Sequence, residues 1–444
     1  MRTIQLWLPV IALVPAACSV NSGFSPAVTT SAAREARRAG ARERVIYSFQ
    51  SGADGADPLG TLVADTRGAL YGTTAFGGGG SCFDGCGTVF KLTRSSGKYV
   101  EHVLYSFKGP SSMDGAGPGA GVVVDAAGAL YGTTEYGGDY AGDGIVFKLT
   151  PSGSQYGETV LYRFKGGNDG TAPLASLTMD STGNLYGATL LGGGATACGQ
   201  NRSGSYVGCG TVFELTRSGS RYKERVLHNF QSGMDGATPG SPPIVVGGAL
   251  YGTAATGGGN PACGGAPINP GCGTIYRLKP ARRGYSFSVV YAFTGMPNDG
   301  ANSFGGLVAD DAGTFYGTTQ YGGAQNQGAV FSLAPSGSTY RESLLHSFGG
   351  ANDGSYPLAG LALGGHRLYG TTQYGGSSAN AGVVFELSAS LTERVLYRFE
   401  SASAGEYPVG GILIGAKHAL YGTTSYGGAA SAAAGTAFSL NVRR

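Results

Sequence analysis

One nine-residue phrase, Leu130-Tyr131-Gly132-Thr133-Thr134-Glu135-Tyr136-Gly137-Gly138, restricts what this chain can fold into, because it is written seven times. The other copies begin at Leu70, Leu185, Leu250, Phe315, Leu368 and Leu420, at start-to-start spacings of 60, 55, 65, 65, 53 and 52 residues. A period of that size marks a propeller or solenoid. Each copy carries four short runs rich in Val, Leu, Phe and Tyr and bounded by Gly, Asp, Ser or Pro. In the second copy they are 121–125, 130–134, 145–149 and 160–164. Such runs read as strands between turns, and nothing between them has a helical period. A lone four-stranded sheet leaves two apolar faces in water, whereas seven such sheets closed into a ring cover both. The predicted fold is therefore all-β, a seven-bladed β-propeller of four-stranded antiparallel blades. Blades are expected at about 59–107, 119–164, 173–230, 241–293, 304–348, 357–399 and 408–441, within a propeller over 45–441.

The ends support closure. A strand of the Val-Leu-Tyr-Ser-Phe type stands at 45–49, ahead of the first unit, and the last unit stops after 436–440, one strand short. We expect 45–49 to pair with 436–440 as the outer edge of the seventh blade, which removes an exposed sheet edge. An unpaired 45–49 would refute this.

Composition fits. The chain has 444 residues, 41% hydrophobic, enough for a large core. Eighty-two Gly without a collagen period point to many tight turns. Net charge is +3, but residues 1–44 hold six Arg and two Glu, which leaves 24 basic and 25 acidic residues, or −1, for the ring. No nucleic-acid partner follows from that balance. Residues 1–17 read as a secretory signal, with Arg2 ahead of an apolar run from Leu6 to Val14, too short to span a membrane. Cys18 follows Ala16-Ala17 and resembles a lipobox cysteine, with Pro15 where Leu is usual; lipidation of Cys18 would be the only membrane contact. Residues 18–44 then form a lipid-anchored or flexible tether, and the location is exported: an outer-membrane or cell-surface lipoprotein, or a secreted or periplasmic protein.

The remaining six cysteines form three local pairs, Cys82/Cys86, Cys198/Cys209 and Cys263/Cys272, between the second and third strands of units one, three and four. The other units lack both members of the pair, which points to disulfides and an oxidising compartment. No second Cys pair or His cluster accompanies Cys82 and Cys86, so no metal or other cofactor is expected.

Two loops recur. An Asp-Gly turn precedes the first strand at Asp54, Asp114, Asp169, Asp235, Asp299 and Asp353, with Ala404 in the seventh place. An aromatic residue precedes Gly-Gly in Phe76, Tyr136, Tyr321, Tyr374 and Tyr426. In a propeller both loops share one face, where the acids and Tyr136, Tyr321, Tyr374 and Tyr426 are candidate ligand contacts. The bland alternatives are an Asp that accepts hydrogen bonds within its own turn and an aromatic ring that covers its own loop. The Gly of each Tyr-Gly-Thr strand is expected at a blade-to-blade contact. None of the five His accompanies a nucleophile signature, and His228 and His346 stand where the outer strand otherwise has Tyr. Gly77 to Gly80 lacks the Lys-Ser/Thr of a phosphate loop.

The pattern Leu-Val-x-Asp-x-x-Gly-x-Leu-Tyr-Gly-Thr-Thr-x-Tyr-Gly-Gly, followed by Gly-Thr-Val-Phe-Lys-Leu, resembles the GloVer-type tandem repeat over nearly all of 45–441. The resemblance implies a bacterial, exported, "choice-of-anchor" protein of the cell envelope. It implies no catalytic or binding residue. Units four, six and seven depart from it where the Asp hairpin turn gives way to Gly247-Gly248, Gly364-Gly365 and Gly415. The expected function is a non-catalytic binding or scaffold module for a glycan or surface protein, acting as a monomer. The alternatives are a carbohydrate-active hydrolase or lyase using Glu135, Asp139, Asp143 or Glu406 at the channel mouth, and a purely structural envelope component.

Overall fold

The computed structural model describes residues 42–442 apart from 140–141, 154, 200–206, 261–262, 264–270 and 430–432. The expected signal, Cys18 and the tether up to residue 41 lie outside the described residues. Seven four-stranded antiparallel sheets make up the fold, with no α-helix among the described residues and therefore no helix there long and apolar enough to cross a membrane.

Blade two shows the pattern, with strands Val123–Val124, Leu130–Thr134, Ile145–Ser152 and Gln155–Arg163 in sheet order. The first strand is shorter than its apolar run, and the last two form a longer hairpin than expected. That hairpin extension is polar and reads as loop, yet it alternates exposed and half-buried positions, with Tyr156 and Glu158 turned inward. In every blade the fourth strand carries a bulge, as at Leu104, which is skipped between the pairs Phe90–Val103 and Val89–Tyr105. A bulge re-aims the side chains that follow it, here the Tyr or His discussed below.

The glycine of Tyr-Gly-Thr sits elsewhere than expected. Gly132 pairs with Phe147 of its own third strand, and a Cβ on it would lie 2.6 Å from that ring. Gly makes room for a ring within the blade, not for the neighbouring blade. The contact between blades is instead carried by the Phe that follows each fourth strand. Phe49, Phe107, Phe164, Phe230, Phe293, Phe348 and Phe399 each meet the third-strand aromatic ring of the next blade edge-on, with centroids 5.0 to 5.3 Å apart. This is the favoured geometry for aromatic pairs. Nearer the axis, the first Thr of Tyr-Gly-Thr-Thr donates to a backbone carbonyl of the next blade, from Thr73 to Ala120 and round to Thr423 to Gly60. Around the axis the backbones crowd: a Cβ on Gly60 would lie 2.3 Å from the amide nitrogen of Gly121.

The ring closes through Arg42–Ser48, which pairs antiparallel with Thr436–Asn441 from Arg42↔Asn441 to Ser48↔Thr436. The strand begins three residues before 45, so Arg42, Glu43 and Arg44 belong to the seventh blade and not to the tether. Glu43 is drawn in against Tyr397 of the sixth blade.

Candidate functional site

Backbone pairing puts both recurring loops of every blade on one rim. The Asp-Gly loop bridges the Gly-Gly loop at Ala56↔Phe76, Thr171↔Leu191, Ala237↔Thr256, Ser355↔Tyr374 and Glu406↔Tyr426, and through two-residue ladders in blades two and five. The second Thr of the repeat fixes the loop, as when Thr134 donates to the Tyr136 carbonyl. The three expected disulfides are formed here, Cys82–Cys86, Cys198–Cys209 and Cys263–Cys272, and they fit an oxidising, exported setting.

The six turn carboxylates are not gathered on a common point. Each turns back on the fourth strand it follows. Asp54, Asp114, Asp169 and Asp299 accept from Tyr47, Tyr105, Tyr162 and Tyr291 at 2.7 to 2.9 Å. His228 and His346 take that place beside Asp235 and Asp353, at 3.0 and 3.2 Å. The amides of Gln50, Lys108, Lys165, Gln231, Thr294 and Gly349 complete the set. From the other side, the outer strand of the next blade brings up a Glu: Glu101, Glu158, Glu224, Glu342 and Glu393 face Asp54, Asp114, Asp169, Asp299 and Asp353. Burial, then the neighbouring aspartate, pushes Glu101 up to about 8; burial likewise pushes the other four up to about 7. Sequence reasoning passed over this Glu. Its signal is a Glu four residues before the Tyr or His of six outer strands, replaced by Phe287 in the fourth blade.

A second ring was also missed. The residue three after each Asp-Gly aspartate (Ala404 in the seventh blade) is Asp57, Gly117, Ala172, Thr238, Asn302, Tyr356 or Tyr407, and all seven have left-handed φ of 54 to 64°. Each is held by two backbone bonds, as in Asp57 donating to the Ala434 carbonyl of the preceding blade while Ala75 donates to Asp57. Six of the seven are not glycine, and a left-handed non-glycine residue costs about 1–3 kcal/mol, tolerated where the surroundings over-determine it. The identity of this residue changes from blade to blade within a constant frame.

That variation makes the rim asymmetric. Tyr321, Tyr356, Tyr374, Tyr407 and Tyr426 form an unbroken series across blades five to seven, with successive ring centroids 5.3, 5.9, 5.4 and 6.4 Å apart. Burial, with neighbouring tyrosines, raises the Tyr321 and Tyr374 hydroxyls above their usual range, so they remain neutral donors and acceptors. Tyr426, 51% exposed, ends the series at a cleft of about 890 Å³ between blades seven and one, lined by Tyr407, Tyr426, Phe76 and Asp57 among others. Burial pushes the Asp57 carboxyl up to about 7. Tyr136 stands apart from this series, beside a buried Glu135 whose carboxyl is also raised by burial. Asp143 is raised by burial too, next to Thr171, and its carbonyl accepts the Ala172 amide. Asp139 accepts from the Gly142 amide, and Glu406 sits beside Tyr426 in the seventh-blade bridge.

The repeat described as the Gloeobacter/Verrucomicrobia repeat matches residues 35–200 and 264–444. The chain belongs to that repeat family. No curated protein matches its sequence. Among solved structures it is similar to a streptogramin B lyase, with 14% identity, a TM-score of 0.52 and coverage of 91% of this chain and 98% of that one. PorZ, a surface component of the type-IX secretion system of Porphyromonas gingivalis, gives 12% identity, a TM-score of 0.49 and coverage of 88% and 47%. A gluconolactonase of Xanthomonas campestris gives 13% identity, a TM-score of 0.41 and coverage of 97% and 99%. At 14% identity the likeness to the lyase is one of fold.

Proposed function

We propose that this protein is an exported, envelope-associated propeller that binds a glycan without turning it over, along the tyrosine series of blades five to seven and into the cleft at Asp57. The observation that carries the reading is the series itself. Five rings in sequence offer apolar faces for sugar rings, and their hydroxyls offer hydrogen bonds at low conformational-entropy loss. Strained backbone at Tyr356 and Tyr407 holds two of these rings at fixed positions. The turn aspartates shape the rim from behind. A lipid on Cys18 would supply the membrane attachment.

The test is a glycan array followed by calorimetry on the mature chain, with Tyr374→Ala combined with Tyr407→Ala. Losing two anchors of about 1.5–2 kcal/mol each should weaken binding by several hundred-fold, on the order of 3–4 kcal/mol in all. An unchanged affinity would overturn the assignment, and a chain with no glycan or protein ligand would be a structural envelope component. A second reading, a hydrolase or lyase, is favoured by Asp57, whose carboxyl titrates near 7 in the cleft, in the range that suits general acid–base work. Turnover of the bound glycan that Asp57→Asn abolishes would establish it.

A further inference from the structure

Between neighbouring blades the Asp of the Asp-Gly turn faces a Tyr or His from one outer strand and a Glu from the next. Across blades five and six that wedge becomes His346, Asp353 and Glu393, whose ligand atoms all lie within 4.8 Å of one another. The imidazole Nε2 of His346 is 3.2 Å from each Asp353 oxygen. Glu393 Oε1 is shut off from water with no hydrogen-bond partner among the described residues. Imidazole nitrogen with two carboxylates is a donor set for a divalent transition metal, and three protein ligands leave a position for water. The nearby Arg398 is engaged by the carbonyls of Gly376 and Asn352.

We propose that His346, Asp353 and Glu393 bind one Zn²⁺-class ion that staples blade five to blade six. No disulfide stands in blades five to seven, so the ion would tie the side of the ring that lacks them. The molecule contains its own control. His228 and Asp235 repeat the first two ligands at 3.0 Å, but Phe287 replaces the Glu and its ring stacks on His228 at 3.7 Å, so that wedge has two ligands and no room.

The experiment is Zn²⁺ titration of the chelator-treated full chain by calorimetry, with Co²⁺ absorption as a probe of coordination. His346→Tyr installs the residue that five other blades carry at this position, so the fold should persist. We expect one ion per chain, bound at least tenfold more weakly by His346→Tyr and by Glu393→Gln, with His228→Tyr indistinguishable from the parent. A melting temperature equal to that of the metal-free parent verifies folding of each variant. If His346→Tyr does not fold, Glu393→Gln decides alone. Absence of binding below millimolar Zn²⁺, or folded variants that bind like the parent, would overturn the site.

Discussion

Blades three and four and blades five to seven share one scaffold and differ at the rim. On the first side the left-handed position holds Ala172 and Thr238, the residues before Gly-Gly are Leu191 and Thr256, and disulfides Cys198–Cys209 and Cys263–Cys272 brace the loops. On the other side the left-handed positions hold Asn302, Tyr356 and Tyr407, and the residues before Gly-Gly are Tyr321, Tyr374 and Tyr426, without disulfides. The backbone bonds behind both rims are alike, as in Leu190 donating to Ala172 and Gln373 to Tyr356. A rim that varies on a constant frame is where recognition can be placed without endangering the fold.

The comparison can be broken most forcefully at the core. Phe213→Ala in blade three and Phe385→Ala in blade six each remove a fully buried ring that meets the preceding blade edge-on. Each should lose about 3–5 kcal/mol in denaturant unfolding; clearly unequal losses would show that the two sides do not share one scaffold. A smaller effect is expected from Cys198→Ser with Cys209→Ser. Opening that 11-residue loop should lower stability by about 2–3 kcal/mol, with glycan affinity on the tyrosine side unchanged. If affinity fell as well, the two sides would be coupled.

The smallest effect concerns pH. Glu224 is raised by burial from 4.5 to about 7, so the folded chain holds a proton that the unfolded chain releases. Its contribution is complete below pH 4.5 and is lost as pH rises through about 7. Stability in denaturant unfolding should therefore fall between pH 5 and 8, and Glu224→Gln should reduce that fall by about 1 kcal/mol after allowance for solvent screening. A variant that keeps the full slope would remove Glu224 from the account. Blade four, with Phe287 in the equivalent position, should contribute nothing to it.

The scaffold was legible because its cause is local and repeated. The Leu-Tyr-Gly-Thr phrase, the turn glycines and the stray Val45–Phe49 strand each state their role within a few residues. The rim was legible only in part. Tyr321, Tyr374 and Tyr426 stand out before Gly-Gly, but Tyr356 and Tyr407 are single residues ahead of a Pro and join the series only when Ser355 and Glu406 pair with the neighbouring loop. Asp57 acquires its raised carboxyl through burial that includes the seventh blade, about as far away in sequence as the chain allows. The Tyr-Gly-Thr glycine was misplaced because sequence shows that something approaches it, but not from which side. His346 and Glu393 are separated by three strands, so their proximity exists only in the ring.

Arg42–Ser48 precedes the first blade, and its sheet partner, Thr436–Asn441, follows the other six. That first strand thus has no partner until the six intervening blades have been made. A circularly permuted chain that starts in another inter-blade loop would move this latch and leave the rim intact, whereas deletion of the first strand would leave the neighbouring wall with a bare edge, an invitation to borrow a strand from another copy.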